Sequence, residues 1–567
     1  MNFYKLNNNL KKLIFSLILL ITLVVIGNHF LLANVIFEGD DYIHHAARTA
    51  NYYLALKQGQ FPVRWAPNLN YSYGYPVFNY TYHTPYFIGS LLHLLNFSIQ
   101  QSVNISVLFS LILGVIGCYF FVRSNKVSNV WSILLSLVFI FNPYTLLSIY
   151  WRGAVGELYF YSLVPWLLFL INKLMLTKND INLIKFYFVG ISISTALIIL
   201  SHLPSVIILA PVLLIFILTQ FDKKVIENKL LLILTSGLIG LLLSSWYWIP
   251  ACFEQWMITY QSGSSLDQYH SQFALMISIF DISKNFNSSD KFIDVIQIGA
   301  PSFLSIFVGL FFIKINKKNI TWPIIFFISV FFLSSYSYFI WDNSLILKYV
   351  QYPWRFLWVI TLSSILIFIE FLKSKTVPII TRNILAILVI VGTIFSANSY
   401  IAIKGTTSRT DFDWYQTFAT GSSFDEHRPF LSKTPYNFPE ELLYTDDGQQ
   451  IHRLTELNPE ILHFDGTTVE YLISTDKDIV VIFKRLFYPG WEAWLDGNKV
   501  NFTDNLPKYS GVLSLAVPAK ESGQQSDIKI QFTGYAPLRK FSEAVSLISL
   551  LGLILFFIFY KSLLKNS

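Results

Sequence analysis

The sequence predicts a polytopic α-helical membrane protein with a separate β-rich domain outside the membrane. The chain is 54% hydrophobic and 17% aromatic, and only 13% of its 567 residues are charged, whereas an ordinary soluble domain has about 25% charged residues. Apolar runs close to the ~20 residues that cross a bilayer recur along the chain. One long stretch, 398–540, replaces them with charges, turns and short strand-like segments.

The apolar runs predict about twelve membrane spans. They lie near residues 13–33, 103–122, 129–149, 157–174, 185–201, 204–220, 230–249, 299–315, 321–340, 354–372, 378–397 and 541–560. A shorter apolar stretch at 85–95 is expected to be interfacial or re-entrant. We therefore divide the chain into a transmembrane domain (1–397), a β-rich domain (398–540) and a final span with its tail (541–567).

The distribution of lysine and arginine predicts the orientation. Short basic connections alternate with long loops that contain few basic residues, and basic loops stay in the cytoplasm. The basic positions include Arg123, Lys126, Lys173, Lys178, Lys223, Lys224, Lys317, Lys318, Lys373 and Arg382. We expect both termini to be cytoplasmic, in the plasma (inner) membrane, with the loop 34–102 and the β-rich domain outside. The net charge of +7 then reflects topology, and no nucleic-acid partner is expected.

The first outer loop begins with the most informative motif in the chain. Asp40 and Asp41 follow the first span, and residues 41–58 are expected to be helical. In a helix, Asp41, His45 and Arg48 stand at i, i+4 and i+7 on one face. A single acid would suffice to cap the helix, and capping leaves the imidazole and the guanidinium on that face unexplained. We therefore interpret the motif as a chemical site.

Further polar residues stand at the outward ends of the spans and in the first loop, where ionisable groups at membrane depth usually mark a site or a pathway. They are Arg64, Trp65, Tyr73, Tyr75, Arg152, Glu157, His202, Glu254 and Arg355. Simpler roles stay open for several of them. Arg355 could snorkel to the interface, Arg152 and Glu157 could form a structural ion pair, and His202 could be a packing or capping residue. The tyrosines could belong to an aromatic belt.

The stretch 398–540 is expected to form a β-sandwich. Strand-like runs occur at 469–473, 479–483, 491–495, 512–517 and 528–532, and Asp496-Gly497 is a hairpin signal. No nucleotide-binding or clustered Cys/His metal motif is present. Energy for any reaction must therefore arrive in an activated substrate that is reached from outside the cytoplasm.

The ordered motifs resemble those of the GT-C superfamily of membrane glycosyltransferases, and within it the membrane family labelled 6-pyruvoyl-tetrahydropterin synthase-related; YfhO-type proteins are also similar. The motifs are Asp41-x-x-x-His45-x-x-Arg48, Gly59 to Trp65, Gly74-Tyr75-Pro76, Arg152-Gly153 with Gly156-Glu157, Trp248-Ile249-Pro250 with Glu254, Pro353-Trp354-Arg355, and Phe487 to Trp491 leading to Asp496-Gly497. The family label is not expected to mean pterin chemistry, because the histidines lack zinc-ligand spacing.

The resemblance implies a GT-C-like fold and sugar transfer from a polyprenyl-phosphate donor to a glycan, lipid or protein acceptor. It implies Asp41 as the catalytic base, with Asp40 as the alternative. One carboxylate acting as base predicts inversion at the anomeric carbon. Arg355 is the first expectation for the leaving phosphate, followed by Arg152 and Arg48.

The other residues of the predicted site have supporting roles. His45 is expected to orient Asp41 or to contact the donor, and Trp65, Tyr73 and Tyr75 are expected to flank the sugar. A divalent metal ion held by Asp40, Asp41 and Glu157 is a further expectation. Arg64, His202 and Glu254 complete the predicted substrate-binding set.

Two other classes of function fit the same topology. A transporter or flippase of lipid-linked glycans would also have about twelve spans, but it usually shows an internal repeat, and we find none. A non-catalytic assembly factor for the cell envelope would tolerate loss of Asp41 and Arg355.

Overall fold

The computed structural model describes residues 8–70, 73–178, 180–258, 268–312, 317–374, 377–416, 443–446, 451–453, 458–503 and 511–563. In this part of the chain, ten helices are long and apolar enough to cross a membrane, and two shorter apolar helices add to them. This confirms the predicted polytopic helical membrane protein. The end of the predicted span 299–315 and parts of the predicted β-rich stretch lie outside the described residues.

The helices are as follows: α1 Asn8–Gly27, α2 Tyr42–Lys57, α3 Thr84–Leu94, α4 Ile99–Ser124, α5 Asn129–Ile140, α6 Pro143–Leu147, α7 Val155–Leu176, α8 Ile181–Ser201, α9 Leu203–Gln220, α10 Lys223–Leu243, α11 Ser245–Phe253, α12 Met276–Ile279, α13 Ala300–Phe312, α14 Lys317–Leu333, α15 Tyr338–Asn343, α16 Leu345–Val350, α17 Leu357–Lys373, α18 Ile379–Tyr400, α19 Asp411–Gln416 and α20 Pro537–Leu563.

Among the predicted spans that have different ends in the structure are the first and the seventh, and a polar side chain is hydrogen-bonded at each of these two ends. The first span was expected to reach residue 33, but α1 ends at Gly27, where Asn28 Nδ2 donates to the Val24 carbonyl oxygen at 3.0 Å. The span expected at 230–249 is divided between α10 and α11. The Ser244 hydroxyl donates to the Gly240 carbonyl oxygen at 3.1 Å at this break.

The long loops meet at one end of the helix bundle, which we call the loop end. The first loop contributes α2 and α3, and it begins with strand β1 (Ile36–Phe37), which pairs antiparallel with β2 (Thr406–Thr407). The predicted helix 41–58 is confirmed as α2. Asp41 stands at its N-cap position, but its side chain makes no capping hydrogen bond. Capping alone therefore does not account for this acid.

The β-rich domain is a sandwich of two antiparallel sheets, as predicted. Its strands are β3 Leu443–Asp446, β4 Ile451–Arg453, β5 Glu460–Phe464, β6 Thr468–Ile473, β7 Ile479–Leu486, β8 Trp491–Leu495, β9 Asn498–Val500, β10 Val512–Val517 and β11 Ser526–Phe532. The sheet orders are β10-β7-β3-β4 and β5-β6-β11-β8-β9. Alternate residues of both sheets share one apolar core. Asp496 and Gly497 form the β8–β9 hairpin turn with positive φ values, as the sequence predicts.

Candidate active site

Asp40 and Asp41 are held against a π-helical turn at the end of the third membrane segment. The turn covers Ser148–Arg152, and such turns are frequent at functional sites. The backbone N–H groups of Asp40 and Asp41 donate to the carbonyl oxygens of Trp151 (3.0 Å) and Arg152 (2.9 Å). These two hydrogen bonds fix the acidic pair beside the Arg152 side chain.

Two glycines make this close approach possible. A Cβ atom at Gly39 would lie 2.4 Å from the Trp151 carbonyl oxygen, which is far inside van der Waals contact. Gly153 has a φ of +68° and lies against Tyr42, the first residue of α2. A left-handed conformation with no room for a side chain requires glycine. The acidic loop and the π-helical turn therefore fit together only because both positions lack a side chain.

Asp40 and Asp41 line a cavity of about 450 Å³ at the loop end, which we call the acid cavity. Its other lining residues are Arg152, Ser271, Gln272, Lys291, Phe292, Ile293, Tyr352 and Trp354. The rings of Tyr352 and Trp354 are stacked, with centroids 4.3 Å apart. The cavity thus has acids on one wall, two cations and an aromatic face.

Glu157 lies beside the acid cavity in a buried cluster of ion pairs. Arg152 donates to both carboxylate oxygens, through Nη1 to Oε2 at 2.7 Å and through Nη2 to Oε1 at 3.0 Å. Arg355 Nε donates to Oε1 at 2.8 Å, and the Tyr144 hydroxyl donates to Oε2 at 3.2 Å. His202 Nε2 is 3.9 Å from Oε1. Two arginines therefore neutralise one carboxylate, and the cluster carries excess positive charge.

The position of Arg355 does not fit the expectation that this residue contacts a phosphate in the cavity. It is buried, and it does not line the acid cavity. Its Nη1 donates to the Val350 carbonyl oxygen at 2.5 Å and to Gln351 Oε1 at 2.8 Å, while its Nε is paired with Glu157. In the structure Arg355 holds Glu157, and Arg152 is the arginine that faces the cavity.

The surroundings of the two aspartates raise their pKa values. Burial raises the pKa of Asp41 to about 6, and the nearby charges of Arg152 and Arg48 limit the rise. Burial also raises the pKa of Asp40, against the charges of Arg152 and Lys404. Among the described residues, no Lys, Arg or His nitrogen lies within ion-pair distance of Asp41. Its carboxylate is therefore free to accept a proton near neutral pH.

His45 and Arg48 stand behind Asp41 on α2. His45 Nδ1 and the Tyr86 hydroxyl are 2.9 Å apart, and the Tyr82 hydroxyl lies 3.4 Å from Nε2. Burial and the charge of Arg48 hold the pKa of His45 well below its usual range. Neither His45 nor Arg48 lines the acid cavity. The charge of Arg48 lowers the pKa of Asp41, whereas the ring nitrogens of His45 lie against tyrosine hydroxyl groups.

Arg64 and Glu254 belong to a second cluster, which we call the junction. Arg64 donates to Asn79 Oδ1 (2.6 Å) and to Glu543 Oε1 (2.9 Å). Arg539 pairs with Glu254, through Nη2 to Oε2 at 2.8 Å. Asn79 Nδ2 also donates to Glu254 Oε2, at 2.7 Å. The junction ties the first loop and α11 to α20, so these two predicted binding residues have structural partners.

Two predicted sugar-flanking aromatics pack into the β-sandwich. Trp65 is fully buried, with its ring centroid 5.4 Å from that of Trp491 and 5.1 Å from that of Phe532. Tyr73 belongs to the same core. Tyr75 is also fully buried, and its backbone pairs with Ala66. None of these three side chains lines the acid cavity, so the structure gives their predicted contact with the sugar no support.

The structure does not support the expectation that the site holds a divalent metal ion. In the part of the chain that the structure describes, no group of three or more His, Cys, Asp or Glu side chains could hold a metal ion. Both Glu157 oxygens already accept from arginines. The set of Asp40, Asp41 and Glu157 therefore does not fit a divalent ion.

Several residues of the acid cavity and the junction are not predicted from the sequence. Ser271, Gln272, Lys291 and Phe292 line the cavity from the loop before α13, and no local pattern marks them. Arg539 and Glu543 could have been recognised, because ionisable residues at a span are costly and usually have partners. They are one turn apart at the start of the last membrane helix.

The fold and the two clusters define a multi-pass membrane protein with a polar cavity at its loop end. The chain belongs to the family of membrane proteins described as having a 6-pyruvoyl-tetrahydropterin synthase related domain, whose model matches residues 78–403. This confirms the predicted family, and the motif at Asp41, His45 and Arg48 lies outside the matched residues. No curated protein matches the chain.

Three solved structures are similar to this chain. Arabinofuranosyltransferase AftD from Mycobacteria has a TM-score of 0.47 and 13% identity, over 69% of this chain and 27% of that one. An oligosaccharyltransferase of Archaeoglobus fulgidus has a TM-score of 0.42 and 12% identity, over 75% and 61%. ArnT from Cupriavidus metallidurans, bound to undecaprenyl phosphate, has a TM-score of 0.33 and 11% identity, over 62% and 59%. This chain thus matches about a quarter of the length of AftD.

Proposed function

We propose that this protein is an inverting membrane glycosyltransferase of the plasma membrane. It transfers a sugar from a polyprenyl-phosphate donor to a glycan, lipid or protein acceptor on the extracytoplasmic face. The observation that carries the proposal is Asp41, a carboxylate without an ion-pair partner among the described residues, which faces a cavity that also contains cations. The similarity to known glycosyltransferases agrees with this proposal but does not carry it.

Asp41 acts as the general base. It accepts the proton of the acceptor hydroxyl as that oxygen attacks the anomeric carbon, and the bond from that carbon to the phosphate oxygen breaks. A base is most effective when its pKa is close to the working pH, and the pKa of about 6 for Asp41 satisfies this condition. The charge of Arg48 limits the rise in the pKa of Asp41.

Arg152 and Lys291 stabilise the leaving phosphate. Both line the acid cavity, and charge-assisted hydrogen bonds to a phosphate are about twice as strong as neutral ones. Arg355 supports Arg152 indirectly, because both guanidinium groups share the Glu157 carboxylate. Glu157 is thus a positioning residue, and among the described residues that line this cavity Asp40 is the only other acid that could act as the base.

The experiment is mass spectrometry of lipid-linked and surface glycans from cells that lack this gene. The cells are complemented with the wild type, with Asp41→Asn or with Glu38→Gln. Glu38 is an exposed acid of the same loop that does not line the cavity, so it is a matched control. We expect deletion to remove one sugar from the surface glycans, and the wild type and Glu38→Gln to restore it.

Asp41→Asn should restore nothing, although the variant protein is present in the membrane. Restoration by Asp41→Asn would remove the catalytic assignment and favour a scaffold role. Accumulation of a finished lipid-linked glycan, with no sugar missing from it, would instead indicate a transporter or flippase.

A further inference from the structure

A second cavity of about 360 Å³ lies between the first loop and the β-sandwich, and we call it the cleft. Gln58 directly follows α2, Phe412 and Tyr415 belong to α19, and Phe464 is the last residue of β5, followed by the β5–β6 turn. Neither the family motifs nor the proposed reaction uses these residues. The cleft therefore needs its own explanation.

Aromatic rings form much of the cleft wall. The side chains of Phe412 and Phe464 are 64% and 42% exposed, respectively, which is costly for large apolar groups in water. Tyr415 is held in place, because its ring is stacked on Tyr53 and its hydroxyl is hydrogen-bonded to His93 Nε2. These rings offer flat apolar surfaces at fixed positions.

Polar groups lie beside the rings. The side chain of Arg485 is only 5% exposed, and its guanidinium lies 5.8 Å from the centroid of the Phe464 ring. Its Nη2 is 3.4 Å from the Asp465 carbonyl oxygen, and the Asp465 carboxylate is part of the same turn. Gln58 Oε1 is buried and accepts no hydrogen bond from the described residues. The described residues of the cleft thus combine donors and acceptors with no net charge.

This combination suits a neutral carbohydrate. A sugar ring has an apolar face that packs on an aromatic ring, and hydroxyl groups that both donate and accept hydrogen bonds. A phosphate or an acidic glycan would meet the carboxylate of Asp465 as well as Arg485. A lipid chain would leave the buried Oε1 of Gln58 without a hydrogen-bond donor.

The two cavities stand at opposite ends of one helix. Asp41 precedes α2, Gln58 follows it, and the helix has 16 residues, which corresponds to about 24 Å at 1.5 Å per residue. One sugar is too short to touch both cavities, whereas an oligosaccharide of several units is long enough to span this distance. Contacts with a remote part of a substrate contribute binding energy that an enzyme can use for catalysis.

We propose that the cleft binds the non-reacting part of a neutral oligosaccharide acceptor whose reacting hydroxyl lies at Asp41. This inference rests on the proposed function for the identity of the acceptor, and it selects a glycan from among the glycan, lipid and protein acceptors. The helix α2 sets the separation, so the acceptor must be several sugars long.

The test uses the full-length protein in detergent, immobilised on a resin. The probes are oligosaccharides released by mild acid from the envelope of the producing cells, labelled at the reducing end and graded by length. We expect the wild type to retain neutral fragments above a threshold length. Glu38→Gln should retain them equally, because Glu38 lines neither the acid cavity nor the cleft.

Phe412→Ala should weaken retention up to roughly tenfold, which corresponds to about 1.4 kcal/mol from one lost ring contact. Ile461→Ala is the matched control, because Ile461 is an exposed apolar residue of β5 that does not line the cleft. Phe412 is exposed, so its truncation is not expected to unfold the protein. Equal retention by wild type and Phe412→Ala, or no retention by either, would overturn the proposal.

The same variants separate this inference from the proposed function. If Asp41→Asn restores the surface glycan in cells, the proposed reaction fails, whatever the resin shows. If Phe412→Ala and Ile461→Ala both lower binding to anionic lipid vesicles and neither changes oligosaccharide retention, the exposed rings contact the membrane and the cleft proposal is wrong.

Discussion

The acid cavity and the junction are built from the same residue types, yet they differ in how their charges are balanced. In the junction, Glu254 accepts from Arg539 and Asn79, and Arg64 pairs with Glu543. Beside the acid cavity, Glu157 is paired in the same way, but Asp41 in the cavity wall has no such partner among the described residues. The charges of the junction are therefore balanced within the protein, as expected for a structural element. The cavity instead has an acid that is available to react with a substrate.

This difference shows why paired arginines near a membrane surface are weak evidence for a substrate site. Arg64, Glu254 and Arg355 all looked like binding residues in the sequence, and all three have protein partners for their charges. A buried ion pair needs most of its donors and acceptors to be satisfied within the protein. A substrate site is better indicated by a residue whose charge is not paired within the protein and that faces a cavity.

The largest expected effect distinguishes the two aspartates. Asp41→Asn should lower the rate of transfer by about 10²–10⁴-fold, the usual contribution of a general base. Asp40→Asn should lower it less, because Asp40 is more exposed and its loss leaves the base in place. Rates measured with purified protein check this. A larger loss for Asp40→Asn would identify Asp40, and not Asp41, as the general base.

The second prediction concerns stability. Glu254→Gln leaves the buried guanidinium of Arg539 without its carboxylate, and breaking one side of a buried pair costs about 3–5 kcal/mol. We expect a clear fall in the midpoint temperature of unfolding in detergent, with transfer by the folded fraction largely retained. If the midpoint temperature of unfolding is unchanged and transfer is abolished, Glu254 takes part in the reaction or in substrate binding.

The third prediction is a pH dependence. Because the pKa of Asp41 is about 6, transfer should rise about tenfold per pH unit below that value and level off above it. The folded state binds this proton more tightly than the unfolded state, so the stabilising contribution of Asp41 is complete below its ordinary pKa and is lost as the pH rises through about 6.

The stability of the same variant checks the sign of this dependence. Asp41→Asn should be at least as stable as the wild type at pH 7.5, and its advantage should disappear in acid. A variant that is less stable at pH 7.5 would contradict the pKa assigned to Asp41.

The smallest expected effect is at Lys291. Lys291→Ala should weaken donor binding roughly tenfold, the loss of one hydrogen bond to a charged group. Because Lys291 is exposed, salt should reduce the difference between variant and wild type. The KM for the donor at low and high salt measures this, and Lys284→Ala, in the same loop but outside the cavity lining, is the control.

The sequence predicts local structure well and distant partners poorly. The apolar runs predict the helices, and alternation predicts strands such as Trp491–Leu495 and the hairpin at Asp496-Gly497. The acidic motif at Asp41 leads directly to the acid cavity. The partners of Arg64 and Glu254, Glu543 and Arg539, lie hundreds of residues away in α20. Only the packing of the helices brings them together.

Measuring polyprenyl phosphate release together with sugar transfer tests the central claim most directly. Membranes of the deletion cells supply both the donor and the acceptor, and purified wild type or Asp41→Asn is added. We predict that the wild type releases one polyprenyl phosphate for each sugar transferred and that Asp41→Asn releases almost none. Transfer by Asp41→Asn at the wild-type rate, or glycan relocation without phosphate release, would contradict the account.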